Sequence, residues 1–179
     1  MEVDGRPWRT LPVAAIAAAG LYTGCELDRE RLRRLARARR RAEALDAAAG
    51  ALRRRALSEQ EIDQRLARRG VPTGARRETR DVLQRAGHVD DGRLAHEYAG
   101  TLAHRGYGDG AIRWRLEQRG VGADLAAEAI AALEPESARA CRLVAARGRT
   151  SSTARYLAAR GFDHEAIEAA FEDGVAPDP

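Results

Sequence analysis

The sequence predicts an all-α protein of three tandem three-helix repeats, elongated and curved, behind a short N-terminal hairpin remnant and helix. Three observations predict it. The phrase Leu-x-x-Arg-Gly-apolar recurs at Leu66 to Val71, Leu116 to Val121 and Leu157 to Phe162. Each copy reads as a helix stop: the Gly takes the left-handed conformation just past the helix end, and the apolar residue folds back onto the Leu. Apolar residues elsewhere recur at steps of three and four, with Asp, Ser and Thr at the starts. Aromatics make up only 4% of the chain and strand-formers are sparse, so no sheet-sized core is available.

The elements follow in order. Residues 2–9 look like a hairpin turning at Asp4-Gly5, marginal alone and in need of a helix to lean on. Thr10 is the expected cap of a helix over about Pro12–Ala19 that stops at Gly20. Asp28 caps a long helix, with Leu27 and Leu32 at staple spacing. Its apolar stripe is Leu32, Leu35, Ala42, Leu45, Ala49 and Leu52, and Gly50 is a site for a bend or break. Ser58 and Glu61 form a capping-box pattern for the helix ending at Arg69. A helix over 75–85 stops at Gly87. Asp90 caps the next, which runs to about Arg105. Gly106-Tyr107-Gly108 turns the chain into the helix ending at Arg119. Helices over 123–133, 137–147, 151–160 and 164–171 complete the set.

A shift of 50 places Ile62, Leu66, Gly70 and Val71 on Ile112, Leu116, Gly120 and Val121. A shift of 41 then places Leu116, Gly120 and Val121 on Leu157, Gly161 and Phe162. The division expected is an N-terminal extension over 1–40, repeats over 41–87, 88–134 and 135–173, and a disordered tail over 174–179.

All 31 basic residues are Arg. Residues 28–85 hold 18 Arg against 9 acids, whereas 86–134 hold 5 against 8 and 135–179 hold 6 against 7. A basic first half suits a nucleic-acid or acidic protein partner. Cys25 and Cys141 are read as free thiols in a reducing cytoplasm. No apolar run reaches a membrane span.

The motifs of chemistry fail one by one. His96-Glu97 lacks the second His of a zinc-protease helix, and neither Cys has a partner at ligand spacing. Gly106 to Gly110 is Gly-rich, but it follows no strand and reads as an inter-helix turn rather than a phosphate loop. Asp90-Asp91 serve as capping residues. No catalytic set, metal or cofactor is expected. Trp114 lies opposite the Ile112–Leu116 face and between Arg113 and Arg115, with polar counterparts Gln64 and Arg155. Two readings stand: an exposed stacking or hot-spot residue, or a Trp packed on the adjacent repeat.

From Gly87 onward, Gly-His-Val-Asp-Asp-Gly-Arg-Leu-Ala, then Gly106-Tyr107-Gly108, Ile112-Arg113, Leu116 and Arg119-Gly120-Val121 together resemble the RecX family. Tyr156 to Phe162 followed by Ile167 looks like that family's C-terminal repeat, and the resemblance covers about residues 45–172. Trp8 to Pro12 and the stretch from Gly20-Leu21 to Leu27-Asp28 resemble the extension of such proteins from Arg-rich bacteria, with an upstream strand to be expected. The resemblance implies helix-turn-helix-like repeats in a non-enzymatic, cytoplasmic, monomeric regulator. It would bind the RecA recombinase and its DNA filament and restrain filament growth, ATP hydrolysis and strand exchange. Weak non-specific DNA binding goes with that reading. Candidate partner or DNA contacts are Arg33, Arg34, Arg37, Arg40, Arg41, Arg68, Arg69, Arg105, Arg113, Trp114 and Arg115. The alternatives are an autonomous helix-turn-helix DNA-binding protein and a plain helical scaffold.

Overall fold

The computed structural model describes residues 1–8 and 10–172; the tail over 174–179 lies outside them. The fold is all-α. A hairpin of β1 (Glu2–Val3) and β2 (Arg6–Pro7) precedes ten helices among the described residues. Asp4 and Gly5 turn the hairpin with φ of 51° and 73°, the twist that matches flanking strands. No helix among the described residues is long and apolar enough to cross a membrane.

The chain divides into two compact units. The first comprises residues 1–57 and 61–89, the second residues 58–60 and 90–179. The first unit holds α1 (Val13–Ala18), α2 (Arg29–Leu52), most of α3 (Glu59–Arg68) and α4 (Thr73–Arg85). Thr10 does not cap α1. Pro12 occupies the cap position and no side chain bonds there. The fixed φ of Pro suits a helix start, which removes the need for a hydroxyl. Asp28 does cap α2, accepting from the Arg31 amide at 2.7 Å. Gly50 does not end α2, which continues to Leu52. Residues on both sides of it are packed (Ala48 and Ala51 are buried), so tertiary contact outweighs the weak propensity of one Gly.

The apolar stripe expected along α2 is also corrected. Leu32 is exposed, and the buried residues are Leu35, Ala44, Ala48 and Ala51. Leu35 packs with Leu11, Ala15 and Ala19, with Ala38 alongside. Ala44, Ala48 and Ala51 pack with Leu57, Ile62, Leu66, Leu83 and Val89. At 100° per residue these two faces lie about 140° apart. One helix therefore serves two cores from two sides, which blurs any single stripe.

The second unit holds α5 (Asp91–His104), α6 (Asp109–Gln118), α7 (Ala123–Ala131), α8 (Glu136–Arg147), α9 (Ser151–Ala159) and α10 (His164–Glu172). It has two cores. One gathers Leu94, Ala99, Leu102, Ile112, Leu116, Val121 and Ile130. The other gathers Ala140, Val144, Leu157, Phe162 and Ala170. Ile112, Leu116 and Leu157 are fully buried, each stabilising by about 1.5–3 kcal/mol against exposure. Asp90 caps α5 by accepting from the Arg93 amide at 2.9 Å, and Thr150 caps α9. The three stops are built alike. Val71, Val121 and Phe162 donate their amides to the carbonyls of Leu66, Leu116 and Leu157 at 3.1, 3.1 and 3.2 Å, closing the six-to-one bond of a Schellman turn.

Candidate partner-binding site

In the first unit, Arg33, Arg34, Arg37, Arg40 and Arg41 all stand exposed on α2. Helical geometry puts them within an arc of about 120°. Neighbouring Arg39 leans on Glu43 at 3.1 Å. The structure brings Arg34, Arg37 and Arg41 to the rim of a groove of about 730 Å3. Its floor includes Val13, Ala14, Ala18, Ala38, Ala42 and Leu45 from α1 and α2, with Glu78 of α4 at one side. Val13 is 81% exposed there. Arg40 and Arg69 line a second depression with Glu43, Ala47, Gly70, Val71 and Pro72. Arg69 also borders a third, beside Arg53, Arg54 and Arg65. Those three were not among the candidates, although the run Arg53-Arg54-Arg55 was a visible charge signal. Arg33 and Arg68 are exposed outside these depressions.

In the second unit, Trp114 is 57% exposed, so it is not packed away in its own unit. Arg113 is exposed beside it, and Arg105 is exposed at the end of α5. Arg115 is only half-exposed, and its guanidinium lies 4.4 Å from the Tyr107 ring centroid. It belongs to a ladder of cations and rings. Arg160 lies 4.6 Å from Tyr107 and 5.1 Å from Tyr156, and Arg147 lies 3.9 Å from Tyr156. Such contacts are worth about 0.5–1 kcal/mol each when exposed. Arg115 thus lays its planar face on a ring of the protein, whereas Arg113 and Trp114 are exposed.

The helix stops have a second task, which sequence reasoning missed. The Gly108 amide donates to the Arg160 carbonyl at 2.9 Å, and the Gly110 amide to the Gly161 carbonyl at 3.1 Å. The Asp109 amide donates to the Glu136 carboxylate. Gly106 and Tyr107 donate back to Ala103 and Leu102. Every amide from Gly106 to Gly110 is therefore taken by a protein oxygen, which leaves none aimed at an anion. Arg139, only 4% exposed, locks the joint. It donates to the Tyr107 carbonyl at 2.8 Å, to the Glu134 carbonyl at 3.1 Å and to the Asp109 carboxylate. Burial raises the Glu136 carboxyl above the usual range, and its acidic neighbours Asp109 and Asp163 add to that, against the lowering pull of the two amides it accepts. At Gly161 (φ 80°) a Cβ would stand 2.5 Å from the Ala111 nitrogen. Only Gly lets these two segments meet so closely.

The same joint is built a second time in this unit. The start of α3 meets the end of α6: the Ser58 hydroxyl donates to the Arg119 carbonyl, and the Glu59 amide donates to Asp91 at 3.0 Å. Gln60 lies against Gly120. Ser58, expected to cap α3, makes this bridge to Arg119, and Glu61, expected to complete a capping box with it, is held by Arg55 at 3.0 Å. In both joints the start of a repeat's second helix lies on the Arg-Gly stop of the next. In both, an acid at the start of the following first helix takes an amide.

Comparison with known proteins agrees with this architecture. Residues 90–130 match the family model described as RecX, second three-helix domain. The chain is 33% identical over 135 residues to regulatory protein RecX of Halorhodospira halophila, covering 70% of this chain and 84% of that one. It is 35% identical over 125 residues to regulatory protein RecX of Chromohalobacter salexigens, covering 65% and 82%. Among solved structures, a crystal structure of regulatory protein RecX superposes with a TM-score of 0.78 at 22% identity, over 93% of this chain and 90% of that one. RecX from Lactobacillus salivarius superposes with a TM-score of 0.67 at 16% identity, over 75% and 96%.

Proposed function

The chain belongs to the RecX family, and on that premise we propose that it regulates the RecA recombinase by binding the recombinase–DNA filament. The regulation is inhibitory: it slows ATP hydrolysis, filament growth and strand exchange, and so restrains recombinational repair and the damage response. The protein acts in the cytoplasm as a monomer and catalyses no reaction of its own. The observation that supports the reading best is the exposed arginine arc of α2, with Arg34, Arg37 and Arg41 rimming an apolar groove. Guanidinium groups bind carboxylates and phosphates in bidentate fashion, so one surface can meet acidic protein and DNA backbone together. Arg113 and Trp114 offer a second contact of the kind that dominates interfaces.

The decisive experiment adds the protein to RecA on single-stranded DNA and follows ATP hydrolysis. Inhibition at stoichiometric amounts is expected, and none at all would end the proposal. The triple variant Arg34→Glu/Arg37→Glu/Arg41→Glu should lose the inhibition while keeping its helical circular dichroism. Tight, sequence-dependent binding to naked duplex would favour the autonomous DNA-binding alternative instead.

A further inference from the structure

The joint seen twice in the second unit has a counterpart surface in the first, and there it is empty. Aligning buried positions of the first helices makes this plain. Ala44 and Ala48 fall on Ala95 and Ala99 at a shift of 51, and those fall on Ala140 and Val144 at a shift of 45. The second helices align through their stops, Arg69-Gly70, Arg119-Gly120 and Arg160-Gly161. The receiving surfaces then correspond residue by residue. The acid that takes an amide is Asp91 in one joint and Glu136 in the other. The equivalent residue of α2 is Arg40. The position of Arg139 is taken by Glu43, and that of Tyr98 and Leu143 by Ala47. Arg40, Glu43, Ala47, Arg69, Gly70, Val71 and Pro72 are the residues that line one open depression of the first unit. Gly70 has the left-handed φ of its counterparts (72°), yet nothing lies within 4 Å of where its Cβ would be.

We propose that this vacant joint surface, bounded by Arg40 and Arg69 over Ala47 and Val71, is a docking site for an acidic peptide segment bearing one apolar side chain. Three features choose that occupant. The charge that receives a helix start elsewhere is reversed here: Arg40 stands where Asp91 and Glu136 stand. Neither Arg40 nor Arg69 has an ion pair among the described residues, since Glu43 is held by Arg39. Beyond Arg69, Arg53, Arg54 and Arg65 outnumber the acids Glu43 and Asp46 in the adjoining depression, so the field there is net positive. A second copy of this chain is disfavoured by the same reversal. The equivalent segment is Arg149 to Ser151 at the start of α9, and a helix N-terminus carrying that Arg brings positive charge toward Arg40. Nucleic acid is disfavoured by the floor, which is aliphatic and offers no ring for a base to stack on. The site stands on the geometry of the first unit and does not depend on the recombinase reading.

The test is fluorescence anisotropy of the full chain with a fluorescein-labelled Asp-Glu-Leu-Asp-Glu peptide. Saturable binding is expected. Arg40→Asp, which restores the acid of the other joints, should weaken it at least about tenfold, or about 1.4 kcal/mol, and Arg69→Ala by about fivefold, or about 1 kcal/mol. Arg77→Asp makes the same charge change on exposed α4 and should alter binding less than about twofold, within about 0.4 kcal/mol. Equal losses for Arg40→Asp and Arg77→Asp would reduce the effect to bulk charge and overturn the site. So would the absence of saturation. A labelled oligothymidylate weakened more than the peptide by Arg40→Asp would overturn it in favour of nucleic acid. Concentration-dependent dimers in sedimentation, abolished by Arg40→Asp, would overturn it in favour of a second copy.

Discussion

In the first unit Arg33, Arg34, Arg37, Arg40 and Arg41 of α2 face solvent; in the second, Arg139, Arg115, Arg160 and Arg147 lie on carbonyls and rings. The residue type is the same and the sequence context is similar. The difference is what surrounds the guanidinium. Arg139 is buried and can satisfy the Tyr107 and Glu134 carbonyls only by staying in place. Arg37 and Arg41 are exposed and donate to no buried carbonyl. Arginine content alone therefore does not say what a guanidinium does; the groups within its reach decide, and Arg147 sits on the Tyr156 ring although it is exposed.

The largest expected effect tests the buried side of this contrast. Arg139→Ala leaves the Asp109 carboxylate and two carbonyls without their donor, and should cost about 3–5 kcal/mol in urea denaturation of the second unit. A loss under about 1 kcal/mol would mean that water replaces the guanidinium freely. Next come the two glycines that share one phrase in two settings. Gly161→Ala meets both an unfavourable φ and the Ala111 backbone, and should cost about 3 kcal/mol. Gly70→Ala meets the φ alone and should cost about 1 kcal/mol. Equal losses for the pair, by the same denaturation, would deny that the stop at Gly161 has a second task.

Smaller still in stability, yet not in binding, is Trp114→Ala. Its ring is more than half exposed, so stability should change by less than about 0.5 kcal/mol. If the protein binds the recombinase filament as proposed, that binding should fall at least about tenfold. A sharp drop in melting temperature would place Trp114 in a packed contact instead. The smallest effect belongs to Arg39→Ala, which removes an exposed i,i+4 pair with Glu43 and should cost about 0.3–0.5 kcal/mol, within reach of careful calorimetry at low salt.

Much of the fold was legible because its signals are local. Asp28 and Asp90 cap within three residues, and each Leu-to-apolar stop closes over five. Hydrogen bonds of that reach depend on little beyond the neighbouring residues. Thr10 misled because Pro12 starts α1 without help. The stripe of α2 misled because a periodicity argument assumes one buried face, and this helix buries two. The site was half legible. Arg34, Arg37 and Arg41 form a visible basic face, but the apolar floor between them needs α1 laid beside α2. Arg40 and Arg69 sit 29 positions apart and meet in one depression only through the fold.

The sequence by itself determined where helices start and stop, that the unit repeats, and which half is basic. Those properties follow from backbone capping, short-range spacing and the count of charges. Only the tertiary structure decided what the stops are for. The carbonyls of Arg160-Gly161 and the Glu136 carboxylate receive the amides of Gly108 to Gly110, and Ser58 bridges to Arg119. These partners lie tens of residues apart in the chain. Their meeting is set by how amphipathic faces pack, which brings donors and acceptors together irrespective of sequence distance. The same packing left one copy of that receiving surface open, with an arginine where its sisters carry an acid.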